Sequence, residues 1–132
     1  ETRMWEEKGS VVSLEYFPRR TNPFWNMKHR GEGVFNKVDV ILYGQETIGS
    51  AERSSNVEEM REMFYSIEDG GYSQKLFDLF GKERVEKELE EFLGMDFFPR
   101  FGGGIGMTRL ARAYELLQQE KEEYEYNWEG VL

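Results

Sequence analysis

VFNKVDVILYG (Val34–Gly44) and ETIGSAERS (Glu46–Ser54) decide the fold of this chain. Each run carries the β-branched and apolar residues that suit a pleated, half-buried strand, and the pair is predicted to form an antiparallel hairpin turning at Gly44–Gln45. Upstream, VVSLEYF (Val11–Phe17) reads as a further strand that Pro18 ends, after a polar lead-in over the first ten residues. Phe17–Gly33 holds two Pro and two Gly and is predicted as loop or ribbon. It also carries Arg19, Arg20, Lys28 and Arg30 with no acid before Glu32, which makes it the basic patch of the chain.

Downstream of the hairpin the periodicity changes from strand to helix. Ser54, Ser55 and Asn56 offer an N-cap for a helix to about Ile67, with Val57, Met60, Phe64 and Ile67 on one face. Gly70–Gly71 breaks it. A second helix is predicted from about Ser73 to Phe80. A third is predicted from Lys82 to Leu93, where Val85, Leu89, Phe92 and Leu93 form an apolar stripe closed by Gly94. MDFFPRF returns to extended chain, GGGIG reads as a glycine-rich strand or turn, and MTRLARAYELLQQEKEE as a last helix. Strands flanking a helical middle, with an antiparallel hairpin, predict an α+β fold rather than a doubly wound sheet.

Composition narrows the class. The 132 residues make one domain's worth of chain, and 39% hydrophobic content with 15% aromatics excludes intrinsic disorder. No apolar run approaches the roughly 18 residues of a membrane span, and the absence of Cys excludes disulfides and thiolate metal sites. A soluble, cytoplasmic protein is expected. The net charge of −9 opposes general affinity for a phosphate backbone.

Two segments can carry chemistry. In FGGGIGMTRL (Phe101–Leu110), glycines leave one face of the backbone bare just before a helix bearing Arg109, which is expected to reach inward. A flat or phosphorylated ligand can approach such a surface, and Arg109 can pair with phosphate or stack on a base. The competing explanation, equally weighted on composition, is that the glycines only let a helix pack tightly on a strand. The segment is neither a Walker loop nor a dinucleotide fingerprint. In DVILYGQETIGSAER, Asp39 and Glu46 lie on adjacent strands across a short turn, so two carboxylates can meet on one sheet face and serve a Mg²⁺ shared with nucleotide phosphates. Arg53 stands seven residues beyond Glu46, an odd offset that a bulge at Gly49–Ser50 would return to the same side. An ordinary surface hairpin with a salt bridge is the commoner outcome for such residues.

Taken together and in order, strand, D-x(6)-E-x(6)-R, helices and GGGIGxxRL resemble the C-terminal part of the class II aminoacyl-tRNA synthetase catalytic core, in its aspartyl/asparaginyl subgroup. FPRRTNPFWNM is similar to the stretch that precedes the family's metal-binding strand, with Phe17, Pro18, Pro23, Phe24 and Trp25 matching and Trp in place of Tyr. FGGGIGMTRL resembles the family's motif 3, and the resemblance spans roughly residues 14–117.

The resemblance implies an α+β domain that is the C-terminal portion of a class II synthetase-like antiparallel sheet flanked by helices. It implies ATP and Mg²⁺ as cofactors, with Asp39 and Glu46 as the metal and ATP carboxylates. Gly104, Gly106 and Arg109 would lie around the adenine and phosphates, and Arg53 would hold the substrate side chain. The implied reaction is activation of aspartate or asparagine as an aminoacyl-adenylate, with tRNA as acceptor. A tRNA-independent asparagine synthetase using ammonia, or a non-catalytic amino-acid- or nucleotide-binding paralogue, are the alternatives.

Motif 1, the dimer helix, and motif 2, with the Arg for the α-phosphate, are expected upstream of Glu1. Residues 1–132 are then one partial catalytic domain, inactive alone, expected to homodimerise through the upstream part and, as an isolated piece, to self-associate or need that missing half. Departures from the family pattern are Glu52 for Gln, Thr108 for Glu and Phe101-Gly102-Gly103 for Gly-Gly-Phe. Gly49-Ser50-Ala51 mixes the aspartyl and asparaginyl forms, and an acidic tail, EKEEYEYNWEG, stands where a basic signature is usual. His29 is expected to be a solvated loop residue, Glu120–Glu129 a solvated helix end, and Met107 with the Phe and Trp residues part of the core.

Overall fold

A computed structural model describes residues 8–129, with side chains described through residue 124. The polar lead-in before Lys8 and the side chains at the end of the acidic tail lie outside the described residues. Strands β1 (Val11–Pro18), β2 (His29–Gly31), β3 (Val34–Leu42), β4 (Gln45–Arg53) and β5 (Arg100–Ile105) form one sheet in the order β1-β3-β4-β5, with β2 pairing antiparallel to β3. Helices α1 (Val57–Ser66), α2 (Gly71–Phe80) and α3 (Lys82–Leu93) lie between β4 and β5 in sequence, and α4 (Met107–Glu129) follows β5. The expected α+β class holds.

The hairpin turns one residue earlier than predicted. Tyr43 and Gly44 are its two loop residues, at φ 48° and 74°, as a type I′ turn requires of both central positions. Positive φ is unusual for Tyr. Burial of the ring and hydrogen bonds from Tyr43 N–H to the Ser10 carbonyl (2.7 Å) and from Arg112 Nη1 to the Tyr43 carbonyl (3.2 Å) hold it there.

Contacts divide the described residues into two compact units. One comprises residues 15–38 and 50–102 and holds the hydrophobic core of Trp25, Phe35, Met60, Met63, Phe64, Val85, Leu89 and Leu93. Asn56 caps α1, its side chain accepting from Glu59 N–H at 3.1 Å. On α3, Val85, Leu89 and Leu93 are the buried stripe, a spacing of four residues that keeps one face inward. Between α1 and α2 a short 3-10 turn carries Glu68 and Asp69 at positive φ, and α2 starts at Gly71, two residues ahead of expectation. The other unit comprises residues 8–14, 39–49 and 103–129: the hairpin tip, the end of β5 and α4.

Several residues assigned to the core are outside it. Met107 is 69% exposed, Phe98 67% and Phe101 80%. Phe101 is followed by three glycines on β5, which supply no side chain along the strand to cover the ring. His29 is more than a solvated loop residue: it is half-buried, its ring edge-on to Phe35 at 5.1 Å.

Candidate functional site

The unit that contains the hairpin tip brings together most of the residues singled out in the sequence. Asp39 on β3 is buried and Glu46 on β4 half-buried. Both carboxylates converge on Gly49. A methyl group there would lie 2.8 Å from Glu46 Oε1 and 3.5 Å from Asp39 Oδ1. The space a side chain would take is thus filled by the Glu46 carboxylate, with that of Asp39 in ordinary contact beside it, and the two share one side of the hairpin. Two hard oxygens in one place fit Mg²⁺, which takes one or two protein carboxylates and completes its shell with phosphate and water. Among the described residues no group of three or more His, Cys, Asp or Glu side chains could hold a metal ion without such help.

Helix α4 is tied to the same tip. Gly106 N–H donates to the Thr47 carbonyl at 2.8 Å, and Arg109 Nη1 donates to the Glu46 carbonyl at 2.7 Å. Arg109 is therefore not inward-reaching as expected. It is exposed, and its guanidinium lies along the backbone that carries Glu46. Tyr43 Oη donates to Glu120 Oε2 at 2.8 Å, and burial, then this carboxylate, pushes the phenol pKa up. The two sequence-level explanations of the glycine run divide between residues. At Gly106 a methyl would meet Arg109 Cδ at 3.4 Å and the Thr47 carbonyl at 3.6 Å, so this glycine serves close helix–strand packing. Around a methyl at Gly104 nothing among the described residues lies within 4 Å, so the backbone there is bare.

Arg53 and Gly102 belong to the other unit. A methyl at Gly102 would lie 2.7 Å from Arg53 Nε, so the guanidinium rests against the bare strand. Sequence reasoning missed this use of Gly102, as it missed Gly49: cross-strand proximity leaves no signal in residue spacing. Glu52, the departure from Gln, accepts from Lys28 Nζ and Asn36 Nδ2, each at 2.7 Å. The hydrogen bond from Lys28, then that from Asn36, holds its carboxyl below the usual carboxylate range.

No family model and no curated protein sequence matches the chain. Solved structures do match. The asparaginyl-tRNA synthetase of Entamoeba histolytica in complex with asparaginyl-adenylate aligns at TM-score 0.62 and 18% identity over 86% of this chain and 24% of that one. The aspartyl-tRNA synthetase of the same organism aligns at TM-score 0.58 and 22% identity, covering 86% and 22%. The Pyrococcus horikoshii asparaginyl-tRNA synthetase complexed with asparaginyl-adenylate gives TM-score 0.58 and 18% identity, covering 83% and 23%. The chain has the α+β fold of a C-terminal part of the class II synthetase core. It spans less than a quarter of the length of these structures. Among the described residues no helix is long and apolar enough to cross a membrane.

Proposed function

We propose that residues 1–132 are the C-terminal part of the catalytic domain of an ATP-dependent ligase that activates aspartate or asparagine as an aminoacyl-adenylate. The observation that carries this reading is the convergence of Asp39 and Glu46 at Gly49, beside the backbone that Arg109 grips. In the reaction an amino-acid carboxylate oxygen attacks the α-phosphorus of ATP, the bond to the β,γ-diphosphate breaks, and pyrophosphate leaves. Asp39 and Glu46 would hold Mg²⁺, which would supply charge neutralisation for the phosphates. Arg109 offers its remaining N–H groups to phosphate, and Gly104 leaves a flat floor for the adenine. Arg53 binds the side-chain carboxylate or amide of the amino acid. Catalysis is then positioning and electrostatics, with no covalent step on the protein.

In the family this reading draws on, a further Arg on the α-phosphate and a homodimer helix come from upstream sequence, and we assign them there in a cytoplasmic enzyme. The acceptor in this reading is tRNA, with ammonia as the alternative, and the net charge of −9 over these 132 residues opposes a phosphate-rich partner only for this part of the protein. The test is ATP–pyrophosphate exchange by the full-length protein with aspartate and asparagine offered separately. Exchange that depends on either amino acid supports the ligase. Ammonia-dependent release of asparagine then selects the synthetase without tRNA, and charging of tRNA selects the other enzyme. No exchange with either amino acid overturns the ligase in favour of a binding module.

A further inference from the structure

We propose that Tyr43 and Glu120 are positioning residues: their hydrogen bond fixes the axial rotation of α4 and so holds Arg109 where it meets phosphate. The inference rests on the reading of Arg109 as a residue that binds the phosphates of ATP. Every group it uses lies in the unit of the hairpin tip. There α4 begins on two anchors to β4, Gly106 N–H on the Thr47 carbonyl at 2.8 Å and Arg109 Nη1 on the Glu46 carbonyl at 2.7 Å. Arg112 Nη1 then reaches the Tyr43 carbonyl at 3.2 Å, Ala113 is buried, and Tyr43 Oη donates to Glu120 Oε2 at 2.8 Å. Arg109, Ala113 and Glu120 fall on one face, since offsets of four and eleven residues are close to whole turns. At a rise of about 1.5 Å per residue, the phenol meets α4 about 16 Å beyond Arg109. Glu120, expected to open a solvated helix end, is instead tied to the hairpin.

Residue 43 is the first loop residue of the hairpin, at φ 48°, where glycine or asparagine sits without strain and tyrosine does not. A smaller residue would make the easier turn, but it would lose a buried ring and the hydroxyl that crosses to α4. A backbone outlier of this kind points to a task for the side chain. The task follows from leverage. Anchors confined to the first two turns leave a helix soft to rotation about its own axis. A further anchor on the same face, three turns beyond Arg109, removes that freedom. The Arg109 side chain reaches about 6 Å from the axis, so a rotation of about 10° carries its guanidinium about 1 Å. A displacement of about 1 Å in a reacting constellation costs on the order of 10²-fold. Holding position needs an acceptor oxygen rather than a charge, so glutamine at residue 120 can serve in place of Glu120.

The experiment compares full-length wild-type protein, Tyr43→Phe, Glu120→Ala, Glu120→Gln and Arg109→Lys by amide hydrogen exchange and by pyrophosphate exchange. Dissociation constants replace KM where pyrophosphate exchange is absent. In Tyr43→Phe and Glu120→Ala, amide exchange over residues 106–113 should quicken about fivefold, the population shift that one hydrogen bond supports. The ATP KM should rise about fivefold and the amino-acid KM by less than about twofold. Glu120→Gln should recover most of both losses. A bond that merely stabilised the fold would lower kcat with the folded fraction and leave both KM values alone, and that pattern overturns the inference. Wild-type amide exchange in both Tyr43→Phe and Glu120→Ala overturns it too, as does a Glu120→Gln loss equal to that of Glu120→Ala. Should Tyr43→Phe fail to fold, the exposed Glu120 carries the same comparison. Arg109→Lys separates the levels: an unchanged ATP KM there refutes the phosphate role of Arg109 itself, whereas an unchanged one in Tyr43→Phe alone refutes the latch.

Discussion

Replacing Gly49 by Ala tests whether the two carboxylates act as a unit, because the added methyl lands where they converge. Its carbon would sit 2.8 Å from Glu46 Oε1 and 3.5 Å from Asp39 Oδ1, against ordinary contact from 3.4 Å upward. Glu46 must therefore withdraw by about 0.6 Å, while Asp39 can stay. The backbone at Gly49 is not in the left-handed region, so Ala is tolerated there. Glu46 yields at the end of a flexible side chain, and stability should change by less than about 1 kcal/mol. Function is less forgiving. Constellations of this kind need placement within about 0.5 Å, and a misplacement of about 1 Å costs on the order of 10²-fold, so a loss of about tenfold is expected. The assay is a Mg²⁺ titration of pyrophosphate exchange with full-length protein, with a thermal melt as control. The half-saturating Mg²⁺ concentration should rise by about tenfold with the melting temperature nearly unchanged. Gly104→Ala is the matched comparison, since nothing lies within 4 Å of it: there the ATP KM should rise and the Mg²⁺ dependence stay. Wild-type Mg²⁺ dependence in Gly49→Ala would refute the pairing of Asp39 with Glu46.

Two further outcomes follow from the same unit-by-unit picture. Glu52 has a folded-state pKa below its ordinary value of 4.5, so its contribution is complete above that value and is lost as pH falls through the lowered one. Glu52→Gln should cost about 1 kcal/mol at most at neutral pH, since Lys28 is half-exposed, and the difference from wild type should shrink steadily in urea melts taken at falling pH below the ordinary carboxylate range. Met60 is 0% exposed in the core of the helical unit, so Met60→Ala should cost about 2–5 kcal/mol in the same melts; a loss below about 1 kcal/mol would contradict that packing.

Much of the fold was legible because amphipathic periodicity reports burial directly. Val85, Leu89 and Leu93 marked α3 with its observed ends, and Asn56 marked the start of α1. What spacing cannot report is backbone conformation at single residues. Tyr43, Glu68 and Asp69 take positive φ without a local signal, and this moved the hairpin turn by one residue. Nor can composition say which aromatics are covered: Phe101 and Met107 flank a glycine run that supplies no packing partners. Of the candidate site, residue types and order were readable, whereas the roles of Gly49 and Gly102 depend on distances across strands. Glu52, a departure from Gln in the sequence, is explained by Lys28 and Asn36, which both donate to its carboxylate.

The most direct measurement is a crystal structure of the full-length protein grown with ATP and Mn²⁺ in place of Mg²⁺, read by anomalous scattering. The account predicts an anomalous peak within about 2–2.3 Å of one carboxylate oxygen from each of Asp39 and Glu46, shared with ATP phosphate oxygens, with Arg109 on the phosphates. Nucleotide bound elsewhere, or a metal peak that touches neither carboxylate, would contradict it.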